Sequence, residues 1–264
     1  MTKPLLDVQN ITMQFGGLKA VDSFSMQVSR GQLAGLIGPN GAGKTTVFNM
    51  LTGVYRPTSG QVVFNEEVIN GLKPYQISAK GLTRTFQNIR LFKDLSVLDN
   101  VLIAGHQHIE YNWWDAISLN LRFRKEEREL NEKGKEILNI FGLLNKVHEK
   151  ANSLPYGEQR KLEIVRALMT HPEMILLDEP AAGMNHSETH DLMELIAKIR
   201  KDFNLTVLLI EHDMKLVMGI CEHIFVLDHG VKIEEGEAAK IQSSPKVIEA
   251  YLGVDAETAS HENI

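Results

Sequence analysis

The sequence of 264 residues holds a single cysteine, Cys221. An internal disulfide is thereby excluded, and a reducing compartment is expected. Long apolar runs are missing too. A membrane span needs about 20 apolar residues, and the longest runs here, such as Thr206 to Ile210, fall far short. No basic-then-apolar segment opens the chain, so no secretory signal is expected. Positive charge is not in excess. The formal net charge of −6 argues against a general nucleic-acid binder, and no nucleic-acid partner is expected. Internal repeats and low-complexity segments are absent. What remains is 43% hydrophobic and 23% charged, enough for the core of one large α/β domain or of a domain with a small lobe. Any service to a membrane would run through a partner.

The most informative stretch is Gly38-Pro39-Asn40-Gly41-Ala42-Gly43-Lys44-Thr45-Thr46. It fits G-x-x-x-x-G-K-[ST], a loop whose backbone N–H groups cradle a polyphosphate. Its context fits as well. Leu33 to Ile37 reads as a short apolar strand before it, and Thr45 to Leu51 as a helix after it,. The helix would turn its positive N-terminus toward the anion. Lys44 would add a point charge at the β/γ-phosphates, and Thr45 a hydroxyl for Mg²⁺.

Around this loop the chain alternates in period. Leu5 to Met13 and Ala20 to Ser29 read as strands, joined through a turn at Phe15-Gly16-Gly17,. Gln61 to Phe64 is a further strand, and the three are expected to form an antiparallel layer beside the loop strand. Residues 72–150 read as mainly helical. Within them, Ser96 is placed to cap a helix from Val97 to Ala104. The charge run from Arg122 to Glu132 reads as a solvated helix face. Trp113 and Trp114 read as packing residues or as a docking surface. Helical spacing returns after Leu154-Pro155-Tyr156-Gly157, with Pro155 suited to a first helical turn. Buried strands, one from Met174 ending in the two carboxylates Asp178 and Glu179 and one from Thr206 to Ile210, flank a helix from Ser187 to Lys201. His223 to Leu227 and Val231 to Glu235 read as a hairpin around Asp228-His229-Gly230. Ser244-Pro245 opens a last helix. The alternation of short buried strands with helices predicts a mainly parallel sheet.

Two further positions complete a chemistry. Asp178 ends a run of apolar residues, where a phosphate-loop enzyme holds its Mg²⁺. Glu179 follows, and strand alternation sends it another way, free to act as general base on an attacking water. His212 ends the next buried strand. If the strands run parallel, all of these residues share the sheet edge where ligands bind, and His212 would contact a γ-phosphate.

With these residues in place, the sequence resembles the ATP-binding subunits of ABC transporters over nearly its whole length. Gly38 to Thr46 resembles the Walker A loop, and Ile175 to Glu179 resembles Walker B with its catalytic glutamate. Gln87 in Arg84-Thr85-Phe86-Gln87-Asn88 resembles the Q-loop glutamine. Leu154 to Arg160 sits at the place of the signature, Ala181 to Asn185 at the D-loop, and His212 at the switch histidine. The nearer resemblance is to the LivG-type subunits of branched-chain amino acid importers. It is carried by Gln14 to Val21, Thr83 to Phe92, Glu179 to Asn185, Ile210 to Ile220 and the ending Ala250-Tyr251-Leu252-Gly253.

The resemblance implies an ABC-type P-loop NTPase fold, with a mainly parallel core sheet, an antiparallel β layer and a helical lobe. It implies one ATP-binding domain over residues 1–254. Core and β layer would fall at about 1–85 and 172–254, the helical lobe at about 88–170, and a loose polar tail at 255–264. It implies ATP and Mg²⁺ as ligands. Catalysis would use Glu179, His212 and Gln87, and metal contacts Thr45, Gln87 and Asp178. Phe15 sits where an aromatic meets adenine, although core packing explains it equally. Leu154, Pro155, Tyr156, Gly157 and Glu158 would meet nucleotide held by a second ATP-binding subunit, either an identical copy or a sister chain. Other expected partners are membrane permease subunits on the cytoplasmic face of the inner membrane and, indirectly, a substrate-binding protein. Urea importers, lipopolysaccharide exporters and soluble ABC ATPases are the alternatives. The signature departs from L-S-G-G-Q. Pro155 supplies neither hydroxyl nor N–H, and Glu158 would repel phosphate if it pointed inward. Asn185 stands where the D-loop usually carries Asp.

Overall fold

The computed structural model describes residues 3–108, 115, 118 and 120–251. Trp113, Trp114, Leu252, Gly253 and the tail 255–264 lie outside the described residues. Two compact units divide the chain: residues 1–84, 173–179 and 196–264 in the first, and residues 85–172 and 180–195 in the second.

The first unit holds two sheets. Strands β1 (Leu6–Phe15), β2 (Leu18–Val28), β4 (Ser59–Phe64) and β5 (Glu67–Val68) form an antiparallel sheet in the order β2-β1-β4-β5. The second sheet adds β3 (Leu33–Ile37), β6 (Leu82–Arg84), β7 (Met174–Asp178), β8 (Thr206–Ile210), β9 (His223–Asp228) and β10 (Val231–Gly236). Its order is β10-β9-β3-β8-β7-β6. All its neighbouring pairs are parallel except the β9–β10 hairpin.

The central strands read as continuous apolar runs because both faces are covered. On β3, Ala34 and Leu36 join a core with Val8, Phe24 and Phe64 of the antiparallel sheet and Val47, Phe48 and Leu51 of helix α1 (Lys44–Leu51). Gly35 points the opposite way. A Cβ there would lie 2.9 Å from Val217 and 3.1 Å from the Cys221 sulfur, at the end of a helix over Met214–Ile220. Only glycine lets that helix come so close.

The helical reading of residues 72–150 needs correction. Helix α2 (Pro74–Ala79) is followed by strand β6, which pairs with β7 from Leu82↔Met174 to Arg84↔Leu176. Residues 85–95 carry no helix. Strand β5 is also an addition. Both strands are too short to show a period of two.

In the second unit, α3 (Val97–Gly105), α4 (Leu121–Ile140) and α5 (Tyr156–Leu168) pack together. Ser96 caps α3 as expected: its Oγ accepts from the Asp99 N–H at 3.0 Å, and Asp99 answers in a capping box,. The charged face of α4 is laced by Arg122–Glu126 and Arg128–Glu132 pairs. Helix α6 (His186–Asp202) crosses the boundary between the units in sequence. The remaining helices are α7 (Met214–Ile220), α8 (Ala238–Ser243) and a last turn over residues 245–251. Among the described residues, no helix is long and apolar enough to cross a membrane.

Candidate nucleotide site

The parallel pairing places three loops at one sheet edge. Ile210 lies opposite both Leu36 and Asp178. The loop after β3, the carboxylates after β7 and His212 after β8 therefore leave the sheet side by side. The sequence-level reading of a shared edge holds within the first unit for Gly38 to Thr46, Asp178, Glu179 and His212.

The loop itself is built on left-handed glycines. Gly38 has φ 153°, and a Cβ on it would lie 1.9 Å from the Leu227 carbonyl oxygen. Gly43, the N-cap of α1, has φ 103°. No side chain fits either position. Lys44 is buried, and its Nζ donates to the Gly38 carbonyl at 2.6 Å and the Pro39 carbonyl at 2.9 Å. Burial pushes its ammonium below the ordinary lysine value, while the charges of Glu179 and Asp178 pull it back up,. Lysine and both carboxylates thus share one electrostatic environment. The β9–β10 turn supports the loop from behind, where Gly230 N–H donates to Ala42 O at 2.9 Å. A cavity of about 590 Å³ beside the loop is lined by Pro39, Asn40, Gly41, Ala42, Asp228 and Lys246, among others.

Asp178 is not alone. Arg84 Nη2 donates to its Oδ2 at 2.6 Å, and both side chains are almost fully buried, at 5% and 3% exposed. Arg84 Nη1 also donates to Asn49 Oδ1 of α1 at 2.7 Å, and the guanidinium lies over the Phe48 ring at 5.4 Å. The sequence reading missed this residue because β6 was missed. The signal was a lone arginine between apolar strand residues and Gln87.

Glu179 turns out of the strand with φ 46°, while its N–H donates to Ile210 O at 2.9 Å. A glutamate in the left-handed region is uncommon and costs of order 1–3 kcal/mol. Glu179 therefore lies past the end of β7 in a turn, so the strand alternation expected to orient it does not apply. His212 is exposed, with Nδ1 at 3.8 Å from Oε2 of the buried Glu211. Phe15 is no core residue. It is 44% exposed and meets Tyr55 edge-on, with ring centroids 5.3 Å apart. An apolar ring with an open face suits a purine.

For Mg²⁺ the residues fit. Thr45 stands in the first turn of α1, and Asp178 keeps Oδ1 beside the oxygen engaged by Arg84. Both are hard oxygen donors, with substrate phosphates as the natural remaining ligands. Among the described residues, no cluster of three or more His, Cys, Asp or Glu could hold a metal alone.

Gln87 and Leu154 to Glu158 belong to the second unit. Leu154 is buried, Pro155 is the N-cap of α5 with φ −53°, and Tyr156 is 44% exposed. Pro155 therefore stands one position before the first helical turn. Gly157 and Glu158 lie in that turn. Glu158 does not point at an incoming phosphate unpaired: Lys146 Nζ donates to Oε2 at 2.6 Å and to Oε1 at 2.8 Å. Asn185 pairs reciprocally with Glu188 at the start of α6, each backbone N–H bonded to the other's side chain at 3.0 Å.

Residues 21–182 match the family described as ABC transporter, and residues 231–257 the family described as branched-chain amino acid ATP-binding cassette transporter. The high-affinity branched-chain amino acid transport ATP-binding protein BraF of Pseudomonas aeruginosa is 48% identical over 96% of this chain and 99% of its own length. The protein of the same description named LivG in Escherichia coli K12 is 45% identical over the same shares. A solved ATP-binding cassette of an ABC transporter in its ADP conformation aligns with a TM-score of 0.83 at 34% identity, covering 96% of this chain and 100% of the other.

Proposed function

The chain belongs to the ATP-binding subunits of ABC transporters, and from this we propose that it hydrolyses ATP to drive import of branched-chain amino acids. The observation that carries hydrolysis is the convergence at one sheet edge of the loop that holds Lys44 with Asp178 and Glu179, set by the register of β3, β8 and β7. The names of relatives 45–48% identical over nearly the whole chain support the cargo.

In this reading the phosphates of ATP take over Lys44 from the Gly38 and Pro39 carbonyls. The loop N–H groups and the N-terminus of α1 hold the same oxygens. Thr45 and Asp178 would hold Mg²⁺, which would offset charge on the β- and γ-phosphates. Glu179 accepts the proton of the attacking water as it adds to the γ-phosphorus, and the bond to the β-phosphate oxygen breaks to leave ADP. Gln87 orients that water, His212 contacts the γ-phosphate, and Phe15 stacks on adenine. Residues Leu154 to Glu158 meet the nucleotide of a second ATP-binding subunit, identical or sister. With Pro155 lacking an N–H, that contact relies on the backbone of the first turn of α5 and on the helix dipole.

ATP binding favours the closed pair and hydrolysis reopens it, a population shift passed to permease subunits at the cytoplasmic face of the membrane. Affinity purification from solubilised membranes, with uptake of labelled leucine in the same cells, tests this. Permease-like membrane proteins should co-purify, and Lys44→Ala should lose ATP binding and uptake together. Ribosomal or DNA partners, or unchanged uptake, would overturn the proposal.

A further inference from the structure

Helix α5 carries three charged residues spaced three apart, Arg160, Glu163 and Arg166. At that spacing they share one side of the helix. It is not a solvated side. Arg160 is 3% exposed and Glu163 6%. Burying such charges seldom stabilises a fold better than well-packed apolar residues would, so their bonds need a reason.

Each of the three reaches the same short stretch. Arg160 Nη1 donates to Phe86 O at 2.9 Å, and Arg160 Nη2 donates to Gln87 O and, at 2.8 Å, to Tyr156 Oη. Glu163 Oε1 accepts from the Arg90 N–H at 2.8 Å, and its Oε2 faces Arg160 Nη1 at 3.4 Å. Arg166 Nη1 donates to Arg90 O, and its guanidinium lies over Phe92. The Arg90 guanidinium in turn covers the Phe86 ring, 4.0 Å from its centroid. Residues 86–90 have no helix or strand of their own. The Phe86 and Gln87 carbonyls and both backbone groups of Arg90 find partners on α5 instead. Burial raises the Glu163 carboxyl above the usual range, opposed by the Arg90 amide and by the charges of Arg160 and Arg166. The bonds therefore come from groups largely withdrawn from water.

We propose that Arg160 and Glu163 are positioning residues that splice the Gln87 loop onto α5, so that Gln87 and the signature stretch Leu154 to Glu158 move as one body. The inference rests on the functional reading above, in which Gln87 serves the chain's own nucleotide and Leu154 to Glu158 that of a second subunit. The splice then makes reaching one's own phosphate and presenting the signature to the other a single movement. Each subunit's engagement at one nucleotide site is tied to its engagement at the other.

Arg160→Lys tests this. Lysine keeps a positive charge beside Glu163 but lacks the planar fork whose two nitrogens hold the Phe86 and Gln87 carbonyls and the Tyr156 hydroxyl together,. In the full chain, hydrogen exchange at residues 86–90 should rise at least tenfold, while interior amides of α5 stay as in the wild type. ATP affinity should change less than about twofold, steady hydrolysis should fall at least tenfold, and dependence on ATP concentration should lose cooperativity. Glu163→Gln preserves shape and an acceptor, and should give a milder form, about fivefold faster exchange at Arg90, as expected when a charged acceptor becomes neutral. This variant carries the test if Arg160→Lys does not fold. Unchanged exchange at 86–90 in both variants, or wild-type hydrolysis with the loop opened, would overturn the splice. The exchange arm needs no nucleotide. A wild-type chain that hydrolyses no ATP would sink the functional reading and leave exchange to judge the splice.

Discussion

Replacing Arg84 by methionine keeps most of the side-chain volume and strands Asp178. The pair is 5% and 3% exposed and joined at 2.6 Å. Breaking a buried pair by removing one partner costs about 3–5 kcal/mol, because the remaining charge is left desolvated. For a chain of 264 residues, the unfolding entropy is about 0.55 kcal/mol/K, so melting should fall by about 5–9 °C. Adding Asp178→Leu removes the stranded charge. A packed apolar pair is often as stable as the ionic one, so the double variant should regain most of the loss. Four proteins melted by calorimetry at pH 7 close the cycle. The drop should persist at high salt, since buried pairs are screened far less than surface pairs. The exposed Arg128–Glu132 pair is the control, and its removal should barely move the melting point. A single variant that melts within 1 °C of the wild type, or a double variant no better than the single, would refute the argument.

Gly38→Ala places a Cβ 1.9 Å from the Leu227 carbonyl, so nucleotide binding should vanish, measured by fluorescent ATP titration. Retained affinity would mean the loop is not built as described. Cys221 is buried, and its thiol is pushed up to about 12. Thiolate is scarce far below that value, so maleimide at pH 8 should label the protein only after unfolding in urea. Rapid labelling of the native chain would contradict the packing of α7 on Gly35.

The sequence was most legible where burial is simplest. Leu33–Ile37 and Thr206–Ile210 are strands with the expected limits, and the strand from Met174 stops at Asp178, one carboxylate short of the expected end; a short apolar run covered on both faces has few alternatives. Ser96 was legible because a cap is a local hydrogen bond. Leu82–Arg84 was not, since three residues show no period and one of them is charged. Arg84, Arg160 and Glu163 escaped notice for a shared reason. A charge goes inside only where distant groups come to meet it, here Asp178 for Arg84, and the Phe86, Gln87 and Arg90 backbone for the other two. Chain order does not display such meetings. Glu158 is similar, since its neutralisation by Lys146 depends on a partner 12 residues away.

The central claim is that Glu179, at the sheet edge that holds Lys44 and Asp178, activates the water that attacks ATP. Phosphate release by the purified subunit with its membrane partners, wild type beside Glu179→Gln, tests it most directly. The account predicts steady release from the wild type. From Glu179→Gln it predicts undiminished ATP binding with phosphate release at least a hundredfold slower, within the range that a general base contributes. Turnover by Glu179→Gln at the wild-type rate would contradict it.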